Sequence, residues 1–366
     1  MSDYRSALVQ GKILAKKGLW ISEFRIESGL NCGGHAFATD GLLMGPILEE
    51  FKQNREVLYQ ELFAICHEAL LVKEKGLFHA QPLQKITAQG GIGTADEQEF
   101  LLSYYKLDGT GWGSPFLLVP EATNVDDATL AQLAAAKQED YYLSNASPLG
   151  VPFNNFRRSS SEEQRKQRIE KNRPGSPCYK KYLSSNTEFT ELPICTASRK
   201  YQHLKIKAVS GTIPSQESLN SVVKEIEEKD CLCEGLTASV RIKNDMYLPH
   251  NLSAVAICPG PNLAYFSGIF SLKQMVDHIY KREVVTNAVD RPHMLINELK
   301  LYIDYFENLS LESSLVSGEK QLKYLAKFKA NLLSGIAYYR SIVSVVPDNK
   351  TMRLDLDRLE QRLLAI

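Results

Sequence analysis

Hydrophobic positions recur along this chain with two periods, and the two alternate through its first third. Between residues 4 and 17 Ala, Leu and Lys dominate, which predicts a helix. Leu19-Trp-Ile-Ser-Glu-Phe-Arg-Ile26 alternates apolar and polar side chains, the period of a strand. Residues 43–53 and 56–73 return to helical spacing, the second through Val57, Leu58, Leu62, Phe63, Ile65, Ala69 and Leu70. A second strand is expected over 84–89. It is followed by a helix over 97–105 with Phe100, Leu101 and Tyr104 on one face. A further helix spans 126–136, with Asp126 and Asp127 at its positive end.

The pattern changes beyond residue 154. Arg157, Arg158, Arg165, Lys166, Arg168, Lys171 and Arg173 make a basic patch, and Ser160-Ser-Glu-Glu163 reads as a capping box opening a short charged helix. Such a patch is either a solvated helix face or a contact for a phosphate-bearing ligand or a partner. Residues 182–275 are mixed and loop-rich, with a helix over 218–228, a short buried strand over 254–258 and a helix over 272–280. The tail is helical. Leu295, Leu299, Tyr302, Ile303 and Phe306 form one apolar stripe, and Leu322, Leu325, Phe328, Leu332, Ile336 and Tyr339 a second. Leu354, Leu356, Leu359 and Leu363 form a third. Helices with such stripes pack antiparallel on one another. These shifts divide the chain into residues 1–156, 157–275 and 276–366.

Two strand ends open into glycine-rich turns. One is Lys85-Ile-Thr-Ala-Gln-Gly-Gly-Ile-Gly-Thr94 and the other Gly109-Thr-Gly-Trp-Gly-Ser-Pro-Phe116. Glycine lets backbone N–H groups crowd around an anion, and a helix start behind the turn adds a favourable dipole. Two such turns in tandem predict a clamp for one phosphate. In a (β/α)8 barrel that clamp sits in the loops after the last two strands.

Charge narrows the partners. Lys plus Arg equals Asp plus Glu at 43 each, so no net field steers the chain toward nucleic acid. No apolar run reaches membrane-span length, and Met1-Ser-Asp-Tyr-Arg5 carries no signal-peptide core, so a cytoplasmic protein is expected. The seven cysteines are scattered and odd in number, which argues against a disulfide framework. Cys178, Cys195, Cys231, Cys233 and Cys258 stand in loop-like surroundings rich in Gly and Pro. They read as inert thiols or as ligands of an iron–sulfur cluster or zinc, though no Cys-x-x-Cys is present. There is no Gly-x-Ser-x-Gly elbow and no complete dinucleotide fingerprint.

Three segments in order carry a family resemblance: Asn31-Cys-Gly-Gly-His35, Ala88-Gln-Gly-Gly-Ile-Gly93, and Asp108-Gly-Thr-Gly-Trp-Gly-Ser-Pro-Phe-Leu117 with Pro120-Glu-Ala122. Together they resemble the C-terminal half of the nitronate monooxygenase (2-nitropropane dioxygenase-like) family of FMN-dependent (β/α)8 barrels, over roughly residues 19–156. Ser147-Pro-Leu-Gly-Val-Pro-Phe-Asn-Asn155 is similar to the family's segment after the last barrel helix. The resemblance implies an FMN-dependent oxidoreductase acting on a small molecule. His35 would take a substrate proton. Gly33, Gly34, Gln89, Gly90, Gly91, Gly93, Gly113 and Ser114 would lie about the cofactor. This sequence departs from the family at Asn31, Cys32, Trp112 and Ser114-Pro115. Trp112 would stack on an aromatic ligand or belong to the core.

About three strand–helix units precede Pro148, whereas a closed barrel takes eight. The expected fold is therefore α/β. It comprises a partial (β/α)8-type barrel of about its last three βα units, a cysteine-containing α+β segment, and a C-terminal helical bundle. Either a second chain supplies the missing strands or the chain builds a smaller sheet. A non-catalytic or partner-dependent subunit, or an iron–sulfur or zinc module, is the competing functional reading.

Overall fold

Three short strands pair in parallel in the N-terminal half: β1 (Glu23–Glu27), β2 (Lys85–Gln89) and β3 (Gly109–Gly111), in the order β1-β2-β3. Phe24 stands opposite Ile86, and Ala88 opposite Thr110. In this computed structural model every residue is described except 2, 249, 251, 288–289, 314–317 and 348–349, together with the side chains of 312 and 313. Side chains alternate across the sheet. Phe24, Ile26, Ile86 and Ala88 are buried on one face, while Glu23, Arg25, Lys85 and Thr87 keep solvent contact on the other.

Helix α1 (Tyr4–Ala15) precedes β1, α2 (Met44–Val72) crosses from β1 to β2, and α3 (Ala95–Tyr104) crosses from β2 to β3. The two helices expected over 43–53 and 56–73 are one. Leu48, Phe51, Leu58, Leu62 and Cys66 are buried and keep helical phase across the polar stretch between them. A 3-10 turn (Ser114–Leu118) and α4 (Asp127–Ala134) lead to an antiparallel hairpin, β4 (Tyr141–Ser144) with β5 (Phe153–Phe156).

Helix α5 (Ser160–Glu170) is capped one residue earlier than its sequence suggests, because the Ser159 hydroxyl accepts the Glu162 N–H. The stretch expected to be loop-rich holds α6 (Arg199–Ser210), α7 (Gln216–Glu228) and α8 (Leu232–Lys243). Residues 254–258, expected as a short strand, join no sheet. The Val255 N–H donates to Ser160 Oγ, the Ala256 N–H to the Gly235 carbonyl, and the Cys258 carbonyl accepts the Gly34 N–H. Backbone groups from loops and helices thus replace a ladder. Helix α9 (Leu272–Ile279) and the tail helices α10 (Met294–Ser313), α11 (Glu319–Ile342) and α12 (Met352–Ala365) complete the chain.

The architecture is mixed α/β. Among the described residues the parallel sheet has three strands and does not close into a barrel. The tail shares its core: Leu299 and Ile303, Leu332 and Ile336, Leu356 and Leu363 are buried in one cluster with Phe24, Ile26, Ile86 and Ala88. A second cluster joins Leu118, Leu130, Tyr141, Phe156, Leu263, Phe266 and Met275. Among the described residues no helix is long and apolar enough to cross a membrane.

Because the sheet and the tail share one core, damage in the tail should be felt at the other end of the chain. Leu332→Ala removes a fully buried side chain and is expected to cost about 2–5 kcal/mol. Urea unfolding followed by the fluorescence of Trp20 and Trp112 and by helical circular dichroism should give coincident, shifted midpoints. Separate transitions would show that the tail unfolds independently.

Candidate functional site

Parallel strands present their C-terminal ends on one edge, and the loops that follow them meet there. Here the loop after β1, the turn after β2, the turn after β3 and the segment Cys258–Asn262 enclose a cavity of about 350 Å³, within the usual range of small-ligand sites. Its wall includes Gly33, Gly34, Gln89, Gly90, Gly91, Gly113 and Ser114. The two glycine turns expected to share one ligand therefore do face one space.

The turn after β2 is held from outside. Gly90 and Gly91 both have positive φ, 110° and 76°, a region costly for residues with a Cβ. Arg291 locks the turn: its Nη2 donates to the Gly91 carbonyl at 2.6 Å, its Nη1 to Glu97 Oε1 at 2.6 Å and its Nε to Asn262 Oδ1 at 3.0 Å. Asn262 in turn donates to the Ile92 carbonyl, and His278 Nε2 meets the Gly93 carbonyl at 2.9 Å. Glu97 also accepts the N–H groups of Gly93, Thr94 and Met294. Burial alone would raise its pKa, but the charge of Arg291 and these donors more than offset burial and hold it below the usual carboxylate value. The positive end of α3 is thus met by a carboxylate of the same helix, and the Gly93 N–H is spent on it. Gly93 does not line the cavity.

The loop after β1 is braced by a different carboxyl. Glu298 of α10 accepts the Ser28 hydroxyl at 2.6 Å, the Met44 N–H at 2.9 Å and the Tyr339 hydroxyl at 3.3 Å. Full burial pushes its pKa up to about 7 despite these three donors. Further along, Gly33 lies so close to the Cys258 carbonyl that a Cβ would stand 2.5 Å from it. Asn154 Nδ2 donates to the Cys32 carbonyl at 2.6 Å, and the Asn154 N–H donates to the Gly34 carbonyl. His35, paired with Phe153, points its Nε2 at Ser147 Oγ, 2.7 Å away. It stands outside the cavity wall, and burial lowers its pKa.

After β3, Ser114 Oγ accepts the Gly260 N–H at 2.7 Å, which leaves its own O–H free to donate. A Cβ on Gly113 would meet nothing within 4 Å. Trp112 lines the cavity, donates its indole N–H to Gln98 Oε1 and packs against both apolar clusters, so it is partly core and partly wall. Among the described residues, the N–H groups of Gly90, Gly91, Ile92 and Gly113 donate to no protein acceptor.

Several wall residues were not legible as such in the sequence. Asn31 is buried beside Gly91 with neither Nδ2 nor Oδ1 partnered among the described residues. Among the described residues Glu27 is the one charged side chain in the wall, and its carboxylate accepts from Gln89 Nε2. Cys32, in the same wall, has its pKa raised well above the usual thiol value by burial and by Glu27. Thr94-x-x-Glu97 was a readable capping box, but nothing local marks Arg291 or Glu298. Of the five cysteines considered for metal, Cys258 lies in this wall while Cys178 and Cys231 line a separate, small cavity. Among the described residues no three His, Cys, Asp or Glu are arranged to hold a metal ion.

Two outcomes follow from the braces. Arg291→Ala strands Glu97 in the interior and is expected to cost about 3–5 kcal/mol, measured by urea denaturation, with the Glu97→Gln/Arg291→Met double variant recovering much of it. Glu298 binds its proton more tightly in the folded chain than in the unfolded one, where the usual value is 4.5. Its contribution is therefore fully present below pH 4.5 and is lost as pH rises to about 7. Relative to Glu298→Gln, the parent should lose roughly 3 kcal/mol across that window. A pH-independent difference between the two proteins would refute the assignment.

No family model matches the chain, and no curated protein does. Among the solved structures that match is that of FabK from Thermotoga maritima, with a TM-score of 0.37 and 13% sequence identity over 77% of this chain and 58% of that one. The chain thus spans less than two thirds of that protein. Likeness of this degree carries neither fold nor activity across.

Proposed function

We propose that the cavity binds FMN through its phosphate and that the chain is a flavin-dependent oxidoreductase of nitronate monooxygenase type. The observation that carries this reading is the convergence of both glycine turns and Gly33-Gly34 on one cavity at the ends of three parallel strands. The residues present fit such a group. Backbone N–H groups at Gly90, Gly91, Ile92 and Gly113 have no acceptor among the described residues, the Ser114 hydroxyl can donate, and no side chain fills the space before Gly113. These would hold the phosphate as a nest of amides does. FMN, when bound, supplies the redox chemistry. The chain supplies placement, and His35 the proton handling.

His35 has a lowered pKa from burial, so it is neutral near pH 7 and able to accept a proton. Its Nε2 is held by Ser147 Oγ, and taking a substrate proton requires that it exchange this partner for the substrate carbon acid.

A second reading, a partner-dependent subunit, is favoured by the sheet itself. Parallel sheets are ordinarily covered on both faces, whereas Arg25 and Lys85 are exposed on the polar face of this one. A second chain adding strands would cover it.

The test is titration of the purified chain with FMN, followed by quenching of flavin fluorescence. Saturable binding is expected, and Gly113→Glu, which puts a carboxylate at a position where a Cβ meets nothing within 4 Å, should weaken it roughly 100-fold with an unchanged circular dichroism spectrum. Absence of binding by the parent chain would sink the reading, unless a co-purifying chain restores it, which would favour the second. His35→Ala should keep FMN and slow anaerobic flavin reduction by a neutral nitroalkane, whose α-proton must be removed, by about 10²-fold or more. An unchanged rate would remove His35 from the chemistry.

A further inference from the structure

We propose that helix α1, with the adjoining end of α2, is a docking face for the surface of a lipid bilayer rich in anionic headgroups. None of its residues lines the cavity at the strand ends, so the inference stands apart from the flavin reading.

Helix α1 has two unlike sides. Ala7, Gly11 and Ala15 are buried, and Gly11 lies so close to α2 that a Cβ would stand 3.0 Å from Leu62 Cδ1. At 3.6 residues per turn, Arg5, Val9, Ile13 and Lys16 fall within an arc of about 80° on the opposite side. All four are exposed, Val9 by 50% and Ile13 by 53%. Two β-branched side chains one turn apart thus stand in water between cations. The patch runs on to the end of α2. Lys73 Nζ donates to the Lys17 carbonyl at 2.8 Å, and a Cβ on Gly18 would meet Leu70 Cδ2 at 3.1 Å. Beside this junction Leu71 and Val72 are exposed, Val72 by 78%.

Charge decides what kind of surface fits. Residues 4–17 contain no Asp or Glu. Lys12 pairs with Glu61 of α2, whereas Arg5, Lys16, Lys17 and Lys75 form no ion pair among the described residues. The chain as a whole is neutral, so this face is a local concentration of positive charge. The basic patch on α5 differs, because Arg165 meets Glu162 at 2.9 Å and Arg168 faces Asp230 at 3.8 Å.

Cations flanking aliphatic side chains on one side of a helix suit the boundary between water and lipid. The ammonium and guanidinium groups reach headgroup phosphates and carboxylates, while their stems, Val9 and Ile13 enter the edge of the acyl region. A protein partner would instead interlock with a groove, and no α1 residue lines either of the two cavities described above.

The full-length chain should cosediment with sucrose-loaded vesicles of phosphatidylcholine containing about 30% phosphatidylserine, and not with vesicles of phosphatidylcholine alone. Salt at roughly 0.5 M should release it. Lys16→Gln/Lys17→Gln should weaken the partition about 30-fold, and Val9→Ser/Ile13→Ser by at least about 10-fold, each with an unchanged circular dichroism spectrum. Lys166→Gln/Lys171→Gln, at exposed positions of α5 and its end, should bind as the parent does. Three results overturn the proposal: a folded parent that does not sediment with the phosphatidylserine vesicles, equal binding to the neutral ones, or an equal loss in the α5 variant. A parent that ignores vesicles but self-associates, and that Val9→Ser/Ile13→Ser makes monomeric, would assign the face to a second copy of the chain and overturn it as well.

Discussion

The buried pair of Arg291 and Glu97 is the constraint on which the rest of the site depends. A turn built of Gly90 and Gly91 has more conformational freedom than any other pairing would give it, and left alone it would not hold its N–H groups toward one point. Arg291 removes that freedom by bonding at once to the Gly91 carbonyl, to Glu97 and to Asn262. A buried ion pair adds little net stability over an apolar pair of the same volume. What it adds here is geometry: one planar guanidinium fixes the turn after β2, the start of α3 and the fourth wall of the cavity in a single arrangement.

The same arrangement shapes the electrostatics of the cavity. Glu97 has already taken the positive end of α3, so that helix offers its amides to the protein and not to a ligand. Among the described residues the one charged side chain in the wall is acidic, Glu27, and no Lys or Arg joins it. An anion would therefore be met by unpaired backbone amides and the Ser114 hydroxyl. Such dipoles are fixed in place before the ligand arrives, and they need no desolvated cation.

The braces also tie the site to the tail. Glu298, on the same helix as Leu299 and Ile303, holds Ser28 at the end of β1 and the Met44 N–H at the start of α2. A five-residue strand buried on one face cannot organise a loop by itself. Here the loop after β1 gains its shape because α10 packs against α2 and brings the Glu298 carboxyl to Ser28. Much of the site could be read ahead of the structure, since Gly33, Gly34, Gly90, Gly91, Gly113 and Ser114 announce themselves as turn residues after strands. The braces could not be read, since Arg291 and Glu298 sit in local patterns indistinguishable from a loop and an ordinary amphipathic helix.

What the sequence determined on its own was whatever depends on neighbours a few residues apart: helices with a 3.6-residue stripe, strands with a period of two, and glycine turns that only glycine can make. It also placed both glycine turns after strands. The path of residues 254–258 was decided by tertiary contacts, because its backbone groups find partners at Ser160, Gly235 and Gly34. Tertiary structure alone decided that Gly93 faces the protein and that His35 meets Ser147. It decided equally that Asn31 is enclosed beside Gly91. Side-chain direction follows from what packs against each turn, and several of those partners are distant in the chain: Ser147 is 112 residues from His35, and Arg291 is 200 from Gly91.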